Sequence, residues 1–263
     1  MICIITGAAS GIGRAVAQRM ARDGASPEAT PAQLLLTDID AKGLEDVAAL
    51  LQIQGAEVET VTADIADTDS PAHIVDMAIE RFGGLDVLIS NAGIIKRASL
   101  LDMSPTDYDR SFAINVRATW LLAKCAHPHL SRSRGCIVAT ASISAHEPTP
   151  PLGAYSASKA ALLMLVRQMA CEWGPDGIRC NTVSPGSTHT GMTNARYSVP
   201  ALRESAAQRN PLHMIGSPEN QAAAIAFLAS RDAAYITGAD LVVDGGLRTM
   251  LMTASAMGDP WTR

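Results

Sequence analysis

With 263 residues, 48% of them apolar and 18% charged, the chain has the make-up of a globular protein able to bury its own core. Its formal net charge of −5, with lysines and arginines scattered, argues against nucleic acid or an anionic membrane as a main partner. No apolar run approaches the ~20 residues that span a bilayer. The opening MICIITGAAS lacks the basic and apolar regions of a secretory leader, so a cytoplasmic protein is expected.

Strand-like runs alternate with helical ones along the chain. ICII at 2–5 leads into TGAASGIG and the amphipathic stretch IGRAVAQRMARDG, which closes on a glycine. SPEATPAQ at 26–33, with two prolines, reads as a surface loop before the second strand, LLLT at 34–37. EVETVTA at 57–63, LDVLIS at 85–90, CIVATA at 136–141, IRCNTVS at 178–184 and DLVVD at 240–244 complete the strand set. Strands alternating with helices predict an α/β fold: one doubly wound parallel sheet of seven strands, helices on both faces, in a single domain over 1–263. From about 187 to 217 the helical periodicity is weak, and that segment follows a strand end, as substrate lids do.

Five cysteines, an odd number without a C-x-x-C pair, predict buried small hydrophobes rather than disulfides or a zinc site. His127 and His129 flank Pro128. They read as a loop at a helix end rather than a metal pair, and no metal is expected.

The first strand-to-helix turn holds Gly7, Gly11 and Gly13, in a G-x-x-x-G-x-G spacing that lets a backbone approach a diphosphate at a helix N-terminus. Asp38, at the tip of the second strand, suits two ribose hydroxyls and repels a 2′-phosphate, favouring NAD over NADP. Asp38 also has the makings of a helix cap, although Asp40 is the better one. Asp64 after the third strand, and Asn91, Ala92 and Gly93 after the fourth, fall at matching strand ends. Tyr155 and Lys159, four apart, share one helix face. A free phenol has a pKa of about 10, and a neighbouring ammonium favours the phenolate a base requires.

In this order, TGAASGIG, NAG at 91–93, Asn115 in FAINV, Ser142, YSASK and SPG at 184–186 resemble the classical short-chain dehydrogenases/reductases over nearly the whole chain. The resemblance implies a Rossmann-type fold and hydride transfer between NAD and a secondary alcohol or ketone, of a cyclic diol or polyol in the first instance. Tyr155 would be acid and base, Lys159 its electrostatic partner and a ribose ligand, Ser142 the substrate's hydrogen-bond donor, and Asn115 the holder of a relay water. Ser10, Ile12, Ile39 and Ile65 would join the glycines and acids in the cofactor site. Pro185, Gly186, Thr188 and Thr190 would contact the nicotinamide end. The family also implies a homotetramer, packed through helices around 106–127 and 155–173, and a small-molecule substrate. The tail 248–263 is a candidate to cross into a neighbouring subunit or close over the cleft.

Within the family, IRCNTVSPGSTHT and the ending through LVVDGG most resemble 2,3-dihydro-2,3-dihydroxybenzoate dehydrogenases. Those carry an arginine for the substrate carboxylate where this chain has Thr149, and a methionine where it has Leu152. Either the substrate lacks that carboxylate, or His146, His189 or Arg196 binds it from elsewhere. Two other readings are a ketoreductase of the 3-oxoacyl thioester type and a non-catalytic NAD-binding regulator.

Overall fold

In the computed structural model, which describes residues 1–24 and 31–250, seven parallel strands form one sheet ordered β3-β2-β1-β4-β5-β6-β7. They are β1 (Ile2–Thr6), β2 (Gln33–Asp38), β3 (Glu57–Thr62), β4 (Val87–Ser90), β5 (Cys136–Thr140), β6 (Arg179–Pro185) and β7 (Asp240–Val243). Every run predicted as a strand is one. Much of the proline loop, 25–30, and the tail beyond 250 lie outside the described residues.

The central strands are apolar on both faces because both faces are covered. Alternation sends Cys3, Ile5, Leu34, Leu36, Ile89 and Val138 to one side, against α1 (Gly11–Asp23), α2 (Ala41–Ile53) and α9 (Pro218–Ala229). Ile4, Leu35, Leu88 and Ile137 face the other side, against α3 (Ser70–Phe82), α5 (Ala118–Ser133) and α6 (Tyr155–Trp173).

Between α3 and α5 the predicted helix around 106–127 is not continuous. Helix α4 (Pro105–Phe112), started by a Ser104 cap on the Asp107 N–H, runs into a π-turn at Ala113–Arg117 before α5 begins. The extra residue of such a turn redirects side chains, and Asn115 is one of those it redirects. Pro128 lies inside α5, not in a loop as its flanking histidines suggested. His127 bonds Asp176 through Nε2 at 3.0 Å and meets Trp173 edge-on.

The segment after β6 is more ordered than its periodicity predicts. It holds short helices α7 (Asn194–Tyr197) and α8 (Pro200–Ala207), and Thr193 Oγ1 ties its start together by donating to the Thr188 carbonyl at 2.7 Å. Cys3, Cys136 and Cys180 are buried as expected; Cys171 is exposed and Cys125 only half-buried.

Candidate active site

Strand order reverses at β1, whose neighbours are β2 and β4, so a crevice opens above the carboxyl ends of the strands. A cleft of about 770 Å³ occupies that position. Every residue named from sequence for cofactor or catalysis lines it except Gly13 and Asn115.

Those two act from behind. A Cβ on Gly13 would lie 2.1 Å from the Gly7 carbonyl oxygen, so only glycine lets α1 start this close to β1. Gly7 itself has φ +67°, and a Cβ there would meet Ala92 Cα at 2.9 Å. The turn therefore presents bare backbone and the first amides of α1 to the cleft, and no acidic side chain sits in that first turn. Asn115 is 1% exposed. Its Oδ1 accepts from the Ile94 N–H at 2.9 Å, and its Nδ2 donates to the Ile94 carbonyl and to Ser158 Oγ.

At the end of the cleft beside β2 and β3, Asp38 and Asp40 divide their duties. Asp40 Oδ1 caps α2 by accepting from the Gly43 N–H at 3.0 Å. Asp38 accepts from the backbone N–H groups of Ile39 and Ala9, which hold its carboxylate at the cleft wall. Asp64 is taken up by a partner the sequence did not announce: the Arg110 guanidinium donates to its Oδ2. Burial raises the Asp64 pKa, but that guanidinium and the Ala66 N–H outweigh it and hold the carboxyl below its usual value.

Asn91 is a staple rather than a free ligand. Its Nδ2 donates to the carbonyls of Thr6 and Gly7, its Oδ1 accepts from Thr140 Oγ1, and its N–H is received by Thr6 Oγ1. One side chain thereby joins β1, β4 and β5 beneath the cleft.

The other end holds the tyrosine and lysine. Tyr155 is the first residue of α6, and Lys159 replaces an apolar residue in that helix's buried stripe of Leu162, Leu163, Val166 and Met169. Lys159 is 3% exposed, with Nζ donating to the Thr140 carbonyl at 2.7 Å and lying 5.9 Å from the Tyr155 ring centre. No carboxylate pairs with it among the described residues, and burial pushes its pKa down to about 8. Burial also pushes the Tyr155 phenol up, and the adjacent Ser142 hydroxyl offsets part of that rise. Ser142, 8% exposed, accepts from the Ser144 N–H at 3.1 Å. A Cβ on Gly93 would stand 3.1 Å from Asn115 Oδ1 and 3.3 Å from Lys159 Nζ, so both polar atoms border that glycine.

Beyond the Tyr155–Ser142 pair, Thr149 and Leu152 line the cleft. Thr149 Oγ1 is engaged with Ser144 Oγ at 2.9 Å. His146 and His189 turn elsewhere. His146 Nε2 sits 2.7 Å from Asp240 Oδ2, whose Oδ1 also accepts from Thr182 and Ser184; His189 pairs with Asn194. Of the three groups weighed for a substrate carboxylate, Arg196 alone lines the cleft.

The arrangement provides a backbone cradle for a diphosphate and a tyrosine–lysine–serine set beside it. The chain matches the family model described as "Enoyl-(Acyl carrier protein) reductase" over residues 7–248. It is 39% identical to L-rhamnose 1-dehydrogenase (NAD(P)(+)) of Azotobacter vinelandii, a match covering 93% of this chain and 95% of that one. With 2-(R)-hydroxypropyl-CoM dehydrogenase of Xanthobacter autotrophicus the identity is 37%, covering 93% and 97%. A short-chain dehydrogenase from Burkholderia cenocepacia, solved in complex with NADP, superposes with a TM-score of 0.84 at 34% identity, covering 94% of this chain and 97% of that one. The chain is a member of the short-chain dehydrogenase/reductase family.

Proposed function

We propose that this protein is an NAD-linked dehydrogenase of secondary alcohols, including diols and polyols, with Tyr155 as its acid–base residue. The observation that carries the reading is the meeting of Tyr155, Ser142 and a buried, carboxylate-free Lys159 at the wall of a glycine-lined cleft. The cleft residues fit a dinucleotide: a Cβ at Gly7 or Gly13 would clash with backbone, and the Asp38 carboxylate is fixed by backbone donors beside it. Gly7, Gly11, Asp38, Asp64, Gly93, Lys159, Thr188 and Thr190 would hold it. Bound there, it supplies a hydride acceptor or donor and a positive charge on its oxidised ring.

The chain's own residues handle the proton. Ser142 Oγ orients the alcohol oxygen and stabilises charge developing on it. Tyr155 Oη takes the hydroxyl proton as the carbonyl forms, and returns it in the reverse direction. In the free protein burial keeps that phenol protonated, so its readiness depends on positive charge: the Lys159 ammonium, the N-terminal end of α6, and the bound cofactor. Asn115 Oδ1 and Lys159 Nζ, both bordering Gly93, are the groups that would share a relay water.

The Asp38 carboxylate supports NAD over NADP by repelling a 2′-phosphate. Thr149, short and neutral, offers no fork for a benzoate carboxylate, which favours alcohols and diols over the dihydrodiol acid of the resembling subfamily. Residues 187–217 act as the lid: a Cβ on Gly11 would touch Thr190 at 3.4 Å, so the segment reaches the glycine turn. The apolar groove of Phe112, Val116, Trp120 and Leu165, on the outer side of α4–α5 and α6, supports packing of further copies into a homotetramer.

The test is a screen for cofactor reduction across secondary alcohols, cyclic diols and sugars, run with NAD⁺ and with NADP⁺. Tyr155→Phe should lower turnover on any hit by about a thousandfold or more while NADH still binds, read by NADH fluorescence. Activity only with NADPH and ketones would replace this reading with the ketoreductase one; undiminished turnover in Tyr155→Phe would end the proton assignment.

A further inference from the structure

The charge lining the cleft is opposite to that of the molecule. On a chain of net charge −5, six cations but only two carboxylates line the cleft. The two acids, Asp38 and Asp64, lie at the ends of β2 and β3, toward one edge of the sheet. Three of the cations are already engaged: Arg110 with Asp64, Lys96 with Asp107 at 3.4 Å, and Lys159 with the Thr140 carbonyl.

The other three are Arg97, Arg196 and Arg209. None has a carboxylate within ion-pair distance among the described residues. Arg97 follows β4, Arg196 lies on α7 and Arg209 follows α8, and all three are exposed residues of the cleft lining. Ile143 adjoins Ser142, the Leu152 carbonyl accepts from the Tyr155 N–H, and both line the cleft together with the aliphatic Ile94 and Met192. A cleft lined mainly by one sign of charge concentrates ligands of the other, and guanidinium forks suit flat or tetrahedral oxyanions.

Resting on the dehydrogenase reading above, we infer that Arg97, Arg196 and Arg209 form an anion subsite, and that the preferred substrate is a secondary alcohol with an apolar spacer ending in an acid group. The alcohol carbon is the one that loses its hydride, and Tyr155 takes the hydroxyl proton. The acid group takes no part in the chemistry. It anchors the substrate and draws the 187–217 segment onto it.

The test compares 5-hydroxyhexanoate with 2-hexanol, then the sulfonate and phosphate counterparts of the acid, at low and high salt. The acids should be favoured in kcat/KM by about tenfold or more, with the advantage shrinking as salt rises. The preferred head group identifies the acid. Arg196→Gln with Arg209→Gln should collapse the acid-to-neutral ratio by about tenfold, mainly through KM. Equal use of acid and neutral alcohol, insensitive to salt, would overturn the subsite and leave the dehydrogenase intact. NADH binding weakened as much as the acid's KM would assign the arginines to the dinucleotide instead. If no alcohol is oxidised with either cofactor, the dehydrogenase reading fails by itself. Hexanoate binding to the NADH-loaded protein, against hexanamide, then decides the subsite: salt-sensitive binding lost in the double variant supports it, and indifference between the two probes rejects it.

Discussion

Single atoms decide much at this site. Gly93 separates Asn115 Oδ1 from Lys159 Nζ, and an added methyl would press on both at 3.1 and 3.3 Å. Misplacing a catalytic group by a fraction of an ångström is enough to slow turnover sharply, so Gly93→Ala should lower kcat by about tenfold or more with the fold retained. Steady-state kinetics beside a far-ultraviolet spectrum would check this; an unchanged kcat would show that the lysine tolerates displacement. In the proposed reading Asp38 acts by charge rather than space. Asp38→Ala removes the repulsion toward a 2′-phosphate, and the ratio of kcat/KM for NADP⁺ over NAD⁺ should rise by about tenfold or more. Initial rates with both cofactors settle it, and a ratio that stays put would move the discrimination elsewhere. The proposed roles rest on residue type and position along the chain, which is how Asp38, Tyr155 and Lys159 could be put forward from sequence, and the structure sets all three in the wall of one cleft. Arg110 was not. Its partner Asp64 lies 46 residues away, and an arginine on a helix face carries no local mark of where its fork points.

At the level of elements, the carboxyl edge is fastened by polar hubs as well as by packing. Asp240, with its side chain 5% exposed, accepts from Thr182, Ser184 and His146, tying β7 to β6 and to the turn that follows Ser142. Asp240→Ala would leave three donors without their acceptor and should destabilise by about 3 kcal/mol; Asp240→Asn keeps an acceptor and should cost less. Urea unfolding of the two variants tests the order, and equal losses would mean that charge, not acceptor count, matters. Strands and most helices were readable because apolar periodicity reports which face is buried. The π-turn at Ala113–Arg117 escaped because it keeps the helical pattern on either side and alters only the phase between them. Pro128 misled for a related reason: proline argues against helix interiors on average, yet α5 continues through it to Ser133. The His146–Asp240 tie spans 94 residues and joins two side chains whose local settings, a strand-end loop and a strand start, gave no hint of each other.

Across the whole molecule, burial of titratable groups sets how stability follows pH. Lys159 keeps its proton to pH 10.5 when unfolded but only to about 8 when folded. The unfolded chain therefore binds more protons between those values, and this group makes stability rise with pH there. Cys136 and Cys180 pull the opposite way. Burial pushes their thiols from 9.0 up to about 11 and about 12, so above pH 9 the folded chain holds the extra protons and stability falls. The cofactor-free protein should gain stability from pH 8 to about 9 and then lose it. Lys159→Met should abolish the rise and keep the fall; denaturant melts across that range would show it, and a parent curve that declines steadily from pH 8 would contradict the buried ammonium. The same cysteines have a practical consequence. Cys171 lies open to solvent on α6, whereas Cys3, Cys136 and Cys180 are sealed beneath the helices that cover the sheet. A thiol reagent should therefore modify Cys171 at once and reach those three only when the sheet comes apart, so that labelling time courses read out opening of the core in the unaltered protein, without an introduced probe.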